Sequence, residues 1–153
     1  MTLSGLLHPY KSYTKAGVIY AVLAAIAHAV ISTFLLKYFS GIVGESVIWI
    51  PAGIGLGVIL VLGWQYWPFI FVGATLGEMG GGYHLGMAML LASGALTGYF
   101  IAAFLLLHYF KFNKYIQTLG DYSRLLAASF IGALISTTIN IFLLVQAGLL
   151  TMG

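Results

Sequence analysis

Long apolar runs separated by short polar clusters dominate this chain. A helix needs about 20 apolar residues to cross a hydrocarbon core of about 30 Å. The first run covers 16–39, with one polar interruption at His28. The second covers 47–63 and opens on Trp49-Ile50-Pro51-Ala52-Gly53. The third starts near Trp67-Pro68 and ends between Gly77 and Gly80, the fourth covers 85–109, and the fifth covers 123–150. Pro68 to Gly77 amounts to about 15 Å of helix. The third segment therefore spans only if helix extends back to Trp64 and forward past Gly80. Otherwise the second and third segments form a re-entrant hairpin, which survives in a membrane only where protein buries it. The pattern predicts an all-α, polytopic transmembrane bundle of about five spans. Residues 1–15 are expected as a cytoplasmic juxtamembrane segment and 16–150 as the bundle, with no soluble domain.

Composition supports this reading. The 153 residues include six basic and three acidic side chains, so 6% are charged, while 61% are hydrophobic. A soluble domain carries about 25% charged residues, so this chain cannot cover a water-facing surface. Disorder needs the opposite balance, low hydrophobicity with high charge. The absence of cysteine excludes disulfides, thiolate nucleophiles and cysteine metal sites. A net charge of +3 is too small for a nucleic-acid footprint.

The placement of the charges orients the bundle. With the N-terminus in the cytoplasm, Lys11, Lys15, Lys111, Lys114 and Arg124 lie inside and Lys37 alone lies outside. This matches the positive-inside rule for a bacterial inner membrane, and an odd span count then leaves the C-terminus outside. Tyr10, Tyr13, Tyr38, Trp49, Trp64, Tyr66, Trp67, Tyr83, Tyr109 and Tyr115 fall near the expected span ends, as an aromatic belt would. The N-terminal apolar stretch is too long and begins too late for a cleavable signal peptide.

Small residues recur at four-residue spacing in three helices, at Gly53/Gly57, Gly73/Gly77 and Gly94/Gly98. Ala128, Gly132, Ser136 and Asn140 form a fourth ridge on the last helix. Such ridges let helix backbones approach closely. Packing within the bundle is the first reading and a dimerisation face the second. The first is favoured for Gly53/Gly57 and Gly73/Gly77; for Gly94/Gly98 both stand. Asn140 is placed to hydrogen-bond across the bundle.

His28 sits at mid-span, where an ionisable group is costly and marks a functional candidate. It reads as a neutral histidine bonded to a neighbouring helix, or as the axial ligand of a chlorin magnesium. Bis-histidine haem is excluded, because His8, His84 and His108 fall at helix ends or in loops. Glu78 and His84 flank the triple glycine at 80–82, and Glu45 lies in the other outer loop. They read as solvated interface residues or as an external site for a cation or amine. No metal site is expected, because three flexible glycines do not preorganise a metal cage. No cofactor beyond the chlorin reading is expected, and no catalytic constellation is legible, since partnered titratable groups are needed for acid–base or nucleophilic chemistry.

Trp49, Pro51, Gly53, Gly63, Trp67, Pro68 and Gly73 carry a resemblance to the first type of bacterial membrane-associated sensor domain, the MASE family. The stretch Gly120-Asp121-Tyr122-Ser123-Arg124, leading into Leu134-Ile135-Ser136, resembles that family's basic loop and following helix. Glu78 departs from the family's asparagine, and Ser93-Gly94-Ala95-Leu96 replaces its polar Gly-Asn-Thr step. The resemblance covers about residues 16–150 and corresponds to the N-terminal five-helix portion of a family with around eight spans; it implies a non-enzymatic sensory input module feeding a cytoplasmic output protein such as a histidine kinase or diguanylate cyclase. The residues themselves leave two other expectations open. One is a small accessory or scaffold subunit docked to other membrane protein subunits, with a pigment on His28. The other is the substrate-binding subunit of a vitamin transporter. In each case the bilayer is a partner and nucleic acid is not.

Overall fold

The computed structural model describes residues 13–39, 50–110, 112 and 117–149. They form five helices, with no strand among the described residues. Helix α1, Lys15–Tyr38, starts where the Thr14 hydroxyl accepts from the Gly17 amide at 3.0 Å. Helix α2, Ile50–Val61, carries Pro51 in its first described turn. Trp49 lies outside the described residues. Gly63, at φ 112°, reverses the chain into a 3₁₀ turn over Trp64–Tyr66. Helix α3, Trp67–Gly80, has Pro68 in its first turn, as its sequence position predicts. Helix α4, Leu85–Phe104, ends in a π turn over Leu105–Tyr109. Helix α5, Leu119–Gln146, opens on a reciprocal capping box between Thr118 and Asp121, with Arg124 3.5 Å from the Asp121 carboxylate. It therefore begins four residues before the expected start at Ser123.

Among the described residues three helices are long and apolar enough to cross a membrane: α1, α4 with its π turn, and α5. Helix α3 has 14 residues, about 21 Å, and is short, as the sequence pattern expects for the third segment; α2 is described from Ile50 onward. The turn between them is held from the N-terminal end of α1. The Tyr13 hydroxyl donates to the Gln65 carbonyl at 2.8 Å, and the Thr14 amide donates to the Tyr66 hydroxyl at 3.1 Å. Tyr66 is accordingly buried at 2% exposure and sits in the core rather than in an interfacial belt.

Two helix pairs make the closest contacts, α1 with α3 and α4 with α5, and α3 packs on α4 to join them. A methyl group at Gly73 would lie 2.6 Å from the Ala25 carbonyl oxygen, and one at Gly77 would lie 2.6 Å from the Ser32 Cβ. At the second seam, a methyl at Gly98 would lie 2.5 Å from the Gly132 carbonyl oxygen, and one at Gly132 would lie 2.6 Å from the Gly98 oxygen. Gly73/Gly77 and Gly94/Gly98 thus pack within the bundle. Gly53/Gly57 does not, contrary to the expectation for that pair, because a methyl at either position meets nothing within 4 Å among the described residues. Gly55 makes the contact of α2 instead, against the ring of Tyr99. Outside the core, α1 and α5 expose large apolar side chains such as Ile19, Phe34, Leu126 and Phe130. This surface suits a lipid environment and would be a liability in water.

Candidate functional site

Helices α2 and α5 both pack on α4 but make no extended contact with each other. The space between them is a cleft of about 490 Å³. Its floor is α4, through Leu91, Ala95, Gly98, Tyr99 and Ala102. Ala52, Gly53 and Leu56 of α2 form one wall. Ser129, Ala133, Ser136, Thr137 and Asn140 of α5 form the other. Glu78 and Tyr83, from the end of α3 and the turn after it, close one end with Leu36 of α1. Small residues on both walls create this space. Gly53 has no side chain to fill it, which is the consequence of a ridge that finds no helix to meet.

The side chains on the cleft differ from those elsewhere on the same helices. Ser93, Thr97, Ser123 and Thr138 each donate to a carbonyl of their own preceding turn, at 2.7–2.9 Å. Ser129, Ser136 and Thr137 line the cleft with hydroxyls that have no partner among the described residues. Asn140 crosses to α4 as its position suggested, but its side-chain oxygen lies against Gly94 and makes no hydrogen bond there. A buried oxygen left without a donor is costly.

Tyr99 connects this cleft to the buried histidine. Its ring lines the cleft and covers Gly55, while its hydroxyl lies 3.4 Å from His28 Nε2. His28 Nδ1 lies 3.3 Å from the Ser32 hydroxyl, and the imidazole is 2% exposed. A neutral imidazole offers one donor and one acceptor nitrogen, and the two hydroxyls serve both. His28 therefore bonds to a neighbouring helix, and a chlorin magnesium would have to displace one of these hydroxyls.

The remaining candidates lie apart. His84 caps α4, its Nδ1 accepting from the Met87 amide at 3.3 Å. Glu78 lines the cleft, and Glu45 lies outside the described residues. Among the described residues no three His, Cys, Asp or Glu side chains come together as a metal site would require. Asp121 holds the start of α5, accepting from the amides of Gln117 and Thr118 at 3.2 and 3.1 Å. Of the motif positions, Gly63 is required by its positive φ, Gly73 by the Ala25 backbone, and Pro68 by its place in a first turn. Trp67 is 43% exposed on the outer face, where it packs edge-on against Phe71. The cleft itself was not read from the sequence. The polar positions Ser129, Ser136 and Asn140 on one face of an apolar helix were its signal.

Comparison with curated proteins and with solved structures gives no significant match. Comparison with protein-family profiles matches residues 16–152 to MASE1. That match covers all five helices and includes both glycine seams and the whole cleft. The chain belongs to the MASE1 family of membrane-associated sensory domains.

Proposed function

We propose that this chain is a non-enzymatic sensory input module of the bacterial inner membrane, with its N-terminus in the cytoplasm, passing a change in helix packing to a cytoplasmic signalling partner. The observation that carries the reading is the pair of glycine seams, α1 against α3 and α4 against α5. At each seam one backbone lies against the next. Interfaces this close switch between discrete arrangements rather than deforming continuously, which is what a transmembrane switch needs. The side chains best suited to chemistry support the same reading, since His84 and Asp121 cap helices and His28 bonds α4. The excess of lysine and arginine on one side supports the orientation.

Purification in mild detergent, with identification of what accompanies the chain, tests the function. A cytoplasmic kinase or cyclase is the expected companion. Stoichiometric recovery with a larger integral membrane assembly would make the chain an accessory subunit instead. Turnover of a substrate by the purified chain alone would overturn both readings. Reporter fusions at Gly153 should be active on the outer side only, and a cytoplasmic signal would reverse the topology.

A further inference from the structure

We propose that the cleft between α2 and α5 binds an uncharged amphiphile from the lipid phase, a hydroxyl or carboxamide head on an apolar body, and that Asn140 recognises the head. The site stands on the geometry of the cleft. Its service as a signal input rests on the sensory reading above.

A volume of 490 Å³ falls inside the range of small-molecule sites, which is about 300–1,000 Å³. Leu56, Leu91 and Ala95 offer an apolar body its surface. On α5 the rim residues Ala133 and Thr137 are exposed, as are the neighbouring Phe130 and Leu134. That apolar exterior suits lipid, so the cleft is reached from the bilayer. The bilayer favours uncharged entrants, because a charge costs far more to hold in an apolar medium than a hydroxyl or an amide does. The lining asks for no counter-charge. Among the described lining residues there is no lysine or arginine, and Glu78 already has an interaction of its own. The lining groups without a partner among the described residues are neutral, the hydroxyls of Ser129, Ser136 and Thr137 and the carboxamide of Asn140.

Asn140 selects the head. A helical serine or threonine can turn its hydroxyl back to a carbonyl of the preceding turn, as Ser93 and Thr138 do. A carboxamide has both donors and acceptors to satisfy, and Asn140 satisfies none of them among the described residues. Its oxygen is buried against Gly94, which has no side chain to donate. Leaving such a group unmet is costly. Rotation about the last torsion exchanges the two ends of the amide and breaks no bond to the protein, so Asn140 can present a donor or an acceptor. An acyl chain offers it neither. A hydroxyl or carboxamide head offers both, at the edge of an otherwise apolar space.

Four probes of matched body, each with one fluorine on the ring, test this in phosphatidylcholine nanodiscs: 4-phenylbutanamide, 4-phenylbutylamine, 4-phenylbutyrate and butylbenzene. Their ¹⁹F resonances report binding. The amide should bind about tenfold more tightly than butylbenzene, a difference of about 1.4 kcal/mol, and the amine and the acid no better than butylbenzene. The chain has two asparagines, Asn113 and Asn140, so ¹⁵N-asparagine in an Asn113→Gln chain gives one side-chain signal, which the amide should shift. Asn140→Leu should bring the amide down to butylbenzene. Gly53→Leu should fill the cleft and remove amide binding, because a Cβ there meets nothing within 4 Å among the described residues. Ala133→Phe should do the same from the opposite wall, each variant keeping the parent's circular dichroism and elution volume. Equal binding of all four probes would mean simple apolar filling and would overturn the proposal. So would an amine or acid that matches the amide, binding by none of the probes, full amide binding in Asn140→Leu, or amide binding that survives both filled clefts. A saturated cleft with no response from a co-purified output protein would refute the sensory reading and leave the site standing.

Discussion

Replacing Gly98 by alanine should weaken the bundle through one contact. The added methyl would stand 2.5 Å from the Gly132 carbonyl oxygen and 2.7 Å from the Ser136 Cβ. Real methyl groups stay at least 3.0 Å away, so α4 and α5 must part by about 0.5 Å along their crossing, and neither neighbour is the flexible end of a long side chain. Overpacking of this kind costs about 1–3 kcal/mol. Alanine returns about 1 kcal/mol of helix propensity, leaving a net loss of up to about 2 kcal/mol. Gly57→Ala is the matched control, because its methyl meets nothing within 4 Å. That variant should keep the propensity gain and be more stable than the parent by about 0.4–1 kcal/mol. Steric-trap unfolding in bicelles measures both on one scale. Gly132→Ala should cost about as much as Gly98→Ala, and the double variant less than their sum, since helices already parted for one methyl have room for the other. A Gly98→Ala protein as stable as Gly57→Ala would refute the close packing of α4 on α5.

At the other seam, Gly73→Ala should destabilise by up to about 2 kcal/mol once the propensity gain offsets the overpacking, because its methyl points at the Ala25 backbone; the same unfolding assay reads it. Tyr99→Phe should cost about 1–3 kcal/mol, because the ring stays over Gly55 while a buried His28 nitrogen loses the hydroxyl it faces. His84→Ala should cost about 1 kcal/mol through the lost cap of α4. The same unfolding assay reads it, and an unchanged stability would refute the cap.

The five helices were legible because apolar runs and their breaks are a one-dimensional signal. The α2–α3 hairpin was harder to read. Its length depends on where Gly63 turns the chain and on the cover that Tyr13 and Thr14 supply from α1, a contact across more than fifty residues. The start of α5 carries a sequence signal of its own, since Thr118-Leu119-Gly120-Asp121 is a capping-box spacing. His84 as a cap carried little signal, because serine, threonine, asparagine and aspartate dominate that position. Glycine spacing named faces without naming partners. Gly98 found α5, Gly73 found α1, and Gly53 found none. The cleft follows from that last outcome together with four polar residues on α5, and only the three-dimensional arrangement brings these features together.

The attachment of α5 has a consequence for how the protein is made. Its substantial contacts run to α4 and the π turn alone, while α1, α2, α3 and α4 hold one another without it. During synthesis the first four helices can therefore close around Tyr99 and His28 before the fifth leaves the ribosome. The cleft does not exist at that stage, because one of its walls has not been made. A chain halted before Leu119 would lack that wall, so the cleft is completed only when α5 docks on α4 along a single glycine seam.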